Sequence, residues 1–381
     1  MKILIVADVL GEENNGTTIA TMNLIRYLKS KGYEVNVLCA DAGKKGIEGY
    51  FIVDSLNLGK LINAYVKKVG VTLAKPQKDV IEKALYGVDF VHIMLPFALG
   101  CATAKIAKSK GLPITAGFHC QAENFTSYIK CNKSKLINHA VYKYFYKHLY
   151  RYVDAIHYPT EFIKNIFESH IKKQTNGYVI SNGINSIICK KDVKKPEIFN
   201  NKCVILTIGR YAREKSQDTL IKAVNYSKYK NDIQLILAGQ GTKEKFYKKL
   251  ANKLNVNVIF KLYDRKELVD VINYSDMYVH PAEMELEGIA CLEAIACGKL
   301  VIVNSSKLSA THLFAVNEKC IFKNRNPKDL ARVIDYFIEH NEEKKLYEQQ
   351  YLSQGNHFSQ EYCMSQMDKM IQEVYKLAHK R

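Results

Sequence analysis

Short apolar, β-prone runs alternate with longer amphipathic segments along this chain, and that alternation restricts its fold more than any other feature. In the first half the runs fall at residues 2–7, 34–39, 90–94, 113–118, 155–158 and 178–180. In the second half they fall at 204–208, 234–238, 256–260, 277–280, 300–304 and 320–322. Strands separated by helix-length segments predict parallel sheets joined by crossover helices. A polar, lysine-rich stretch at 183–202, containing Pro196, reads as a linker between a domain at 1–182 and a second at 203–357. The amphipathic tail at 358–381 reads as a helix returning to the first domain. The expected architecture is α/β, with two Rossmann-like doubly wound domains facing a cleft, and ligands beyond the carboxyl ends of the strands.

A chain of 381 residues with 47% hydrophobic residues has enough apolar material for two cores. The start, 1–7, reads as a strand ending at Asp8 rather than as a signal peptide. No apolar run approaches the ~18 residues that span a bilayer. Ten cysteines are scattered, without a C-x-x-C pair or a His/Cys cluster at zinc spacing, which suits reduced thiols in a cytoplasm. The net charge of +18 calls for an anionic partner: a membrane surface, a nucleic acid or a charged substrate.

Two carboxylates stand out. Glu285 and Glu293 have seven residues between them, with Gly288 and Ile289 in the gap. Strand-like runs flank the stretch, so Glu285 is expected in a loop and Glu293 about a turn and a half inside the following helix. A ligand at that helix start would meet both carboxylates and the free amides of the first turn. Carboxylates accept from sugar hydroxyls, and the amides and helix dipole suit phosphate. Taken alone, two glutamates at this spacing occur often by chance in a chain that is 25% charged.

The order Glu285-Leu-Glu-Gly288-Ile-Ala-Cys-Leu-Glu293-Ala-Ile-Ala-Cys-Gly298 resembles the E-x7-E signature of retaining glycosyltransferases of family 4. One position departs: Glu287 stands where the family commonly has an aromatic residue. The run Gly209-Arg210-Tyr-Ala-Arg-Glu-Lys215 resembles the family's Gly-Arg-x-x-x-Glu-Lys motif, whose two cations neutralise a diphosphate leaving group. Gly239-Gln-Gly241 resembles the Gly-x-Gly after the second strand of the nucleotide domain, and 262–267 is placed beside the base by the same analogy. Gly16, in a loop beginning at Gly11 before an expected helix at 19–30, matches the family's glycine loop at the donor. His119, just past a strand end in Phe118-His119-Cys-Gln-Ala-Glu-Asn124, matches a histidine that touches the donor sugar. That run is closest in style to bacterial diacylglycerol glucosyltransferases.

The resemblance implies a GT-B fold and transfer of a hexose, with retention, from a nucleotide diphosphate sugar, most simply UDP-hexose, to a lipid or glycan acceptor. It gives Glu285 the sugar hydroxyls, Glu293 the ribose, and Arg210 and Lys215 the departing diphosphate. Gly209, Gly239, Gly241, Gly288 and Ile289 would line the donor site. No D-x-D motif stands at a strand end, so no metal and no cofactor are expected. A sugar-nucleotide epimerase or phosphorylase would share the diphosphate site. A basic nucleic-acid-binding protein is the remaining rival, and the lysine-dominated charge without a nucleic-acid motif argues against it.

The stretch 124–153 has no acidic residue. It interleaves Lys143, Lys147 and Arg151 with tyrosines, and a helix is expected at 136–150. Such a helix suits an anionic headgroup layer at the inner face of the cell membrane, and it equally suits a solvated surface helix whose tyrosines pack inward.

Overall fold

The computed structural model describes residues 1–8, 10, 16–56, 73–127 and 134–380, without the side chains of 124 and 125. The glycine-loop residues 11–15 lie outside the described residues, as do Tyr128, Lys130 and Lys133 of the basic stretch.

The chain divides into two compact units, Met1–Asn182 with Glu361–Arg381, and Gly183–Gln360. The first unit carries β1 (Lys2–Ala7), β2 (Glu34–Cys39), β3 (Tyr50–Ile52), β4 (Phe90–Ile93), β5 (Ile114–Gly117), β6 (Ala155–Tyr158) and β7 (Gly177–Val179). They form one sheet in the order β3-β2-β1-β4-β5-β6-β7, parallel throughout. The second unit carries β8 (Cys203–Ile208), β9 (Ile233–Ala238), β10 (Val258–Lys261), β11 (Met277–His280), β12 (Met284–Glu285), β13 (Val301–Asn304), β14 (Leu308–Ser309) and β15 (Ile321–Phe322). Its main sheet runs β10-β9-β8-β11-β13-β15, with β12 and β14 paired apart.

Both sheets have helices on their faces, which is why their central strands read as unbroken apolar runs. Residues 3–7 of β1, for example, are apolar and buried at every position. The expected strands are present, with ends shifted by at most two residues. β3 escapes that reading because it is a half-buried edge strand with only three residues. The helix Gln360–Ala378 buries Met364, Met367, Met370 and Ile371 against Ile3, Ile5 and Phe90 of the first unit. Tyr33 and Tyr178 donate to Asp368 and Glu373 on it, at 2.7 and 3.0 Å. Residues 183–202 pack on the second unit through Ile184, Ile188 and Phe199. No helix among the described residues is long and apolar enough to cross a membrane.

Each main sheet reverses its strand order once, β1 beside β4 and β8 beside β11. The loops leaving two such strands run to opposite faces and open a crevice at their carboxyl ends. In the second unit these are the loops carrying Lys215 and Glu285.

Candidate active site

Glu285 sits in β12, where it pairs with Ser309 of β14. Its carboxylate meets the Lys215 ammonium in an ion pair and accepts from His280 Nε2 at 3.0 Å. A carboxylate only accepts, so His280 carries its proton on Nε2, and in the neutral ring Nδ1 accepts from Tyr278 at 2.9 Å. Burial pushes the Glu285 carboxyl up, but the Lys215 charge and the His280 hydrogen bond outweigh it and hold it at about 2. Lys215 and Glu285 are therefore a charged pair in a largely buried site.

The helix Ile289–Ala296 begins immediately after Gly288. Gly288 has φ +85°, and a Cβ there would lie 2.5 Å from Thr311 Cγ2, so the turn that aims the helix start excludes a side chain. Glu293 lies inside the helix as expected, 3% exposed. Its partner is Arg265, at 2.6 Å, from the start of the helix Arg265–Tyr274. Burial raises the Glu293 carboxyl and Arg265 opposes it.

Arg210 extends to the rim. Its side chain is 47% exposed and its guanidinium pairs with Glu214 at 2.9 Å, while Gln217 donates to its carbonyl. The glycines of the nearby loops have a use inside the fold. A Cβ on Gly239 would lie 2.2 Å from the Gly209 carbonyl, and one on Gly241 would lie 2.5 Å from the Tyr211 carbonyl. The loops after β8 and β9 therefore run backbone against backbone, with Tyr211 N–H donating to the Gln240 carbonyl at 2.9 Å.

The remaining expected residues belong to the first unit. Gly16 opens the helix Gly16–Ser30, three residues earlier than expected. His119 follows β5 and is buried over Gly117, its ring 5.3 Å from that of His157. Burial holds its pKa well below the usual imidazole range. The helix expected at 136–150 is Lys135–His148, capped by Ser134. Lys143 and Lys147 are exposed on it beside Leu136, which is 83% exposed, and Tyr144. Tyr142 and Tyr150 instead stack on Phe118 in the core. Arg151 does not continue the helix: the chain tightens into the turn Tyr150–Tyr152, where Arg151 lies 4.7 Å over the Tyr152 ring.

Sequence reasoning passed over His280 and Glu283, and marked Arg265 only as part of the stretch 262–267. His280 ends β11, so the strand-end argument used for His119 applied to it as well. Arg265 follows Asp264, whose side chain and that of Glu267 form a capping box, a helix start legible in the order Asp-Arg-Lys-Glu.

Residues 14–186 match Glycosyltransferase Family 4, and residues 190–352 match Glycosyl transferases group 1. The chain belongs to glycosyltransferase family 4. The α-monoglucosyldiacylglycerol synthase of Streptococcus pneumoniae is 25% identical over 235 residues, 58% of this chain and 53% of that protein. The matched stretches span about half the length of the curated relatives, or somewhat less. The sucrose-phosphate synthase of Thermosynechococcus elongatus has a TM-score of 0.77 at 16% identity over 99% of both chains. Anabaena HepE, solved with UDP and glucose, has a TM-score of 0.73 at 15% identity over 98% of this chain and 100% of its own. These likenesses show the GT-B fold.

Proposed function

We propose that this chain transfers a hexose from UDP-hexose, with retention at the anomeric carbon, to a lipid acceptor at an anionic membrane surface. The observation that carries the reading is the Lys215–Glu285–His280 constellation beside the start of the helix Ile289–Ala296, at the strand reversal of the second unit. Glu285, charged and held from two sides, accepts from the sugar hydroxyls. Lys215 neutralises Glu285 until the donor enters and then turns its charge to the phosphates. Arg210 adds a second cation at the rim, and the amides of the first helical turn complete an anion site. The charge on the leaving diphosphate grows as the glycosidic bond breaks, so positioned cations stabilise the transition state more than the bound donor. Glu293 lies on the same helix, where a carboxylate accepts from ribose hydroxyls.

Two likenesses support the substrates: HepE was solved with UDP and glucose, and the Streptococcus protein is named for an α-glucosylated diacylglycerol. The exposed basic face with Leu136 and Tyr144 supports the membrane.

The test is a donor screen. UDP, GDP or ADP release is measured from the matching sugar nucleotides, with vesicles of diacylglycerol in phosphatidylglycerol or phosphatidylcholine. UDP release confined to vesicles containing diacylglycerol, with an α-linked glycolipid product by NMR, is the expected result. Absence of a glycolipid product with every donor would overturn the reading.

A further inference from the structure

Glu283 lies two residues before Glu285, and neither the motif nor the chemistry above uses it. Its side chain is largely buried. One carboxylate oxygen accepts from Ser216 at 2.9 Å and from Arg325 Nε at 2.5 Å. Its backbone N–H donates to the Glu214 carbonyl at 2.8 Å, and its own carbonyl accepts from Ser306 at 2.7 Å. Glu214 and Ser216 are the two neighbours of Lys215, so Glu283 grips the Lys215 turn on both sides. The turn needs holding. Ser216 is a non-glycine residue with φ +51°, a left-handed conformation that costs a side-chain-bearing residue. Arg325, on the far side of Glu283, is left-handed too, at φ +56°. One carboxylate thus ties together the turn after β8, the loop after β11 and the turn after β15.

We infer that Glu283 is a positioning residue that fixes the Lys215 ammonium against Glu285 and the departing diphosphate. The inference rests on the proposed role of Lys215. Glu283 touches no substrate. It acts by removing alternative conformations of the turn, so its loss falls on the transition state, where Lys215 matters most, and spares binding of the nucleotide.

The experiment compares Glu283→Ala, Glu283→Gln, Lys215→Ala and the double variant Glu283→Ala/Lys215→Ala. The readouts are kcat and KM with the donor selected by the screen above, UDP affinity by calorimetry, and hydrogen exchange of the 209–217 peptide. Glu283→Ala is expected to lower kcat at least tenfold, leave UDP affinity within threefold and speed exchange of the peptide. Glu283→Gln keeps an oxygen that can accept from both Ser216 and Arg325, and is expected to recover most of both losses. The double variant is expected to fall no lower than Lys215→Ala, because residues acting through one another do not add. Unchanged kcat in Glu283→Ala, multiplying losses in the double variant, or unchanged exchange would overturn the inference. Wild-type turnover in Lys215→Ala would instead overturn the proposed role of Lys215, and the exchange result would still decide whether Glu283 holds the turn.

Discussion

Lys215 pairs with Glu285 and, in the proposed reaction, also neutralises a diphosphate, so replacing it has two separable consequences. A lost charge-assisted hydrogen bond costs about 1.5–3 kcal/mol, which is roughly one to two decades of rate. Lys215→Ala should lower kcat by that much, and Arg210→Ala by less, because the exposed Arg210–Glu214 pair works in a high-dielectric rim. The second consequence is electrostatic. Without Lys215 the burial of Glu285 is opposed by His280 alone, so its carboxyl rises from about 2. The variant should lose activity on acidification at a higher pH than the wild type, and identical pH–rate profiles would refute the pairing. Glu293 offers a third test. Arg265 balances a carboxylate that is almost wholly buried, and removing one partner of such a pair strands the other. Arg265→Met should lower the urea midpoint more than Arg265→Met/Glu293→Met does. The 40% exposure of Arg265 keeps the loss below the several kcal/mol typical of fully buried pairs.

The helix Lys135–His148 has two unlike sides. Its buried side, Tyr142 and Phe145, follows from helical spacing; its other side sets Leu136 and Tyr144 among Lys143 and Lys147. In the proposed membrane contact, lysines would meet anionic headgroups while leucine and tyrosine enter the interface, worth about 1 kcal/mol per basic residue near the surface. Co-sedimentation should therefore occur with phosphatidylglycerol vesicles and not with phosphatidylcholine, weaken as salt rises, and drop in Lys143→Glu/Lys147→Glu/Arg151→Glu. Equal binding to both lipids would refute it. Elements of this size were legible because burial writes a period into them: apolar runs for strands covered on both faces, and three-to-four spacing for this helix. The half-buried edge strand Tyr50–Ile52 writes no such pattern. The end of the helix was misjudged because Tyr150 turns into the core, toward Phe118, and pulls the chain into a tighter turn. In the site, motif order placed Glu293 inside the helix Ile289–Ala296 and Lys215 in the turn after β8, while Glu285, expected in a loop, falls in the two-residue strand β12. It could not show that Lys215 and Glu285, seventy residues apart, pair with each other, or that Arg265 answers Glu293, since those pairings depend on strand order.

At the scale of the whole molecule the two units should respond differently to acid. In the first unit, burial pushes His92 down to about 3, His157 to about 4 and His119 well below the usual range. All three sit at the carboxyl half of the sheet, with His92 Nε2, His119 Nε2 and His157 Nδ1 lacking hydrogen-bond partners among the described residues. Each folded pKa is depressed below its unfolded value of about 6.5, so the unfolded chain binds more protons as pH falls. The stability is fully present above pH 6.5 and is lost below it, by about 1.4 kcal/mol per histidine per pH unit. Asp8 works the other way. Burial raises it to about 7 even though its carboxylate accepts from Leu99 and Gly100 at the start of the helix Ala98–Ser109. Its stabilisation is present at low pH and lost as pH rises through 7, which cancels one histidine between pH 6.5 and 4. The depressed histidines outnumber Asp8, so the first unit loses stability on acidification. In the second unit Glu285 is charged down to about 2, so its contribution is lost only between the ordinary glutamate pKa and that value, at lower pH. Calorimetry from pH 7 to 5 should show the first unit's transition moving to lower temperature well before the second's. His92→Gln should reduce the pH slope of that transition, and Asp8→Asn should steepen it. A slope unchanged by His92→Gln would mean that this histidine does not stay neutral in the fold.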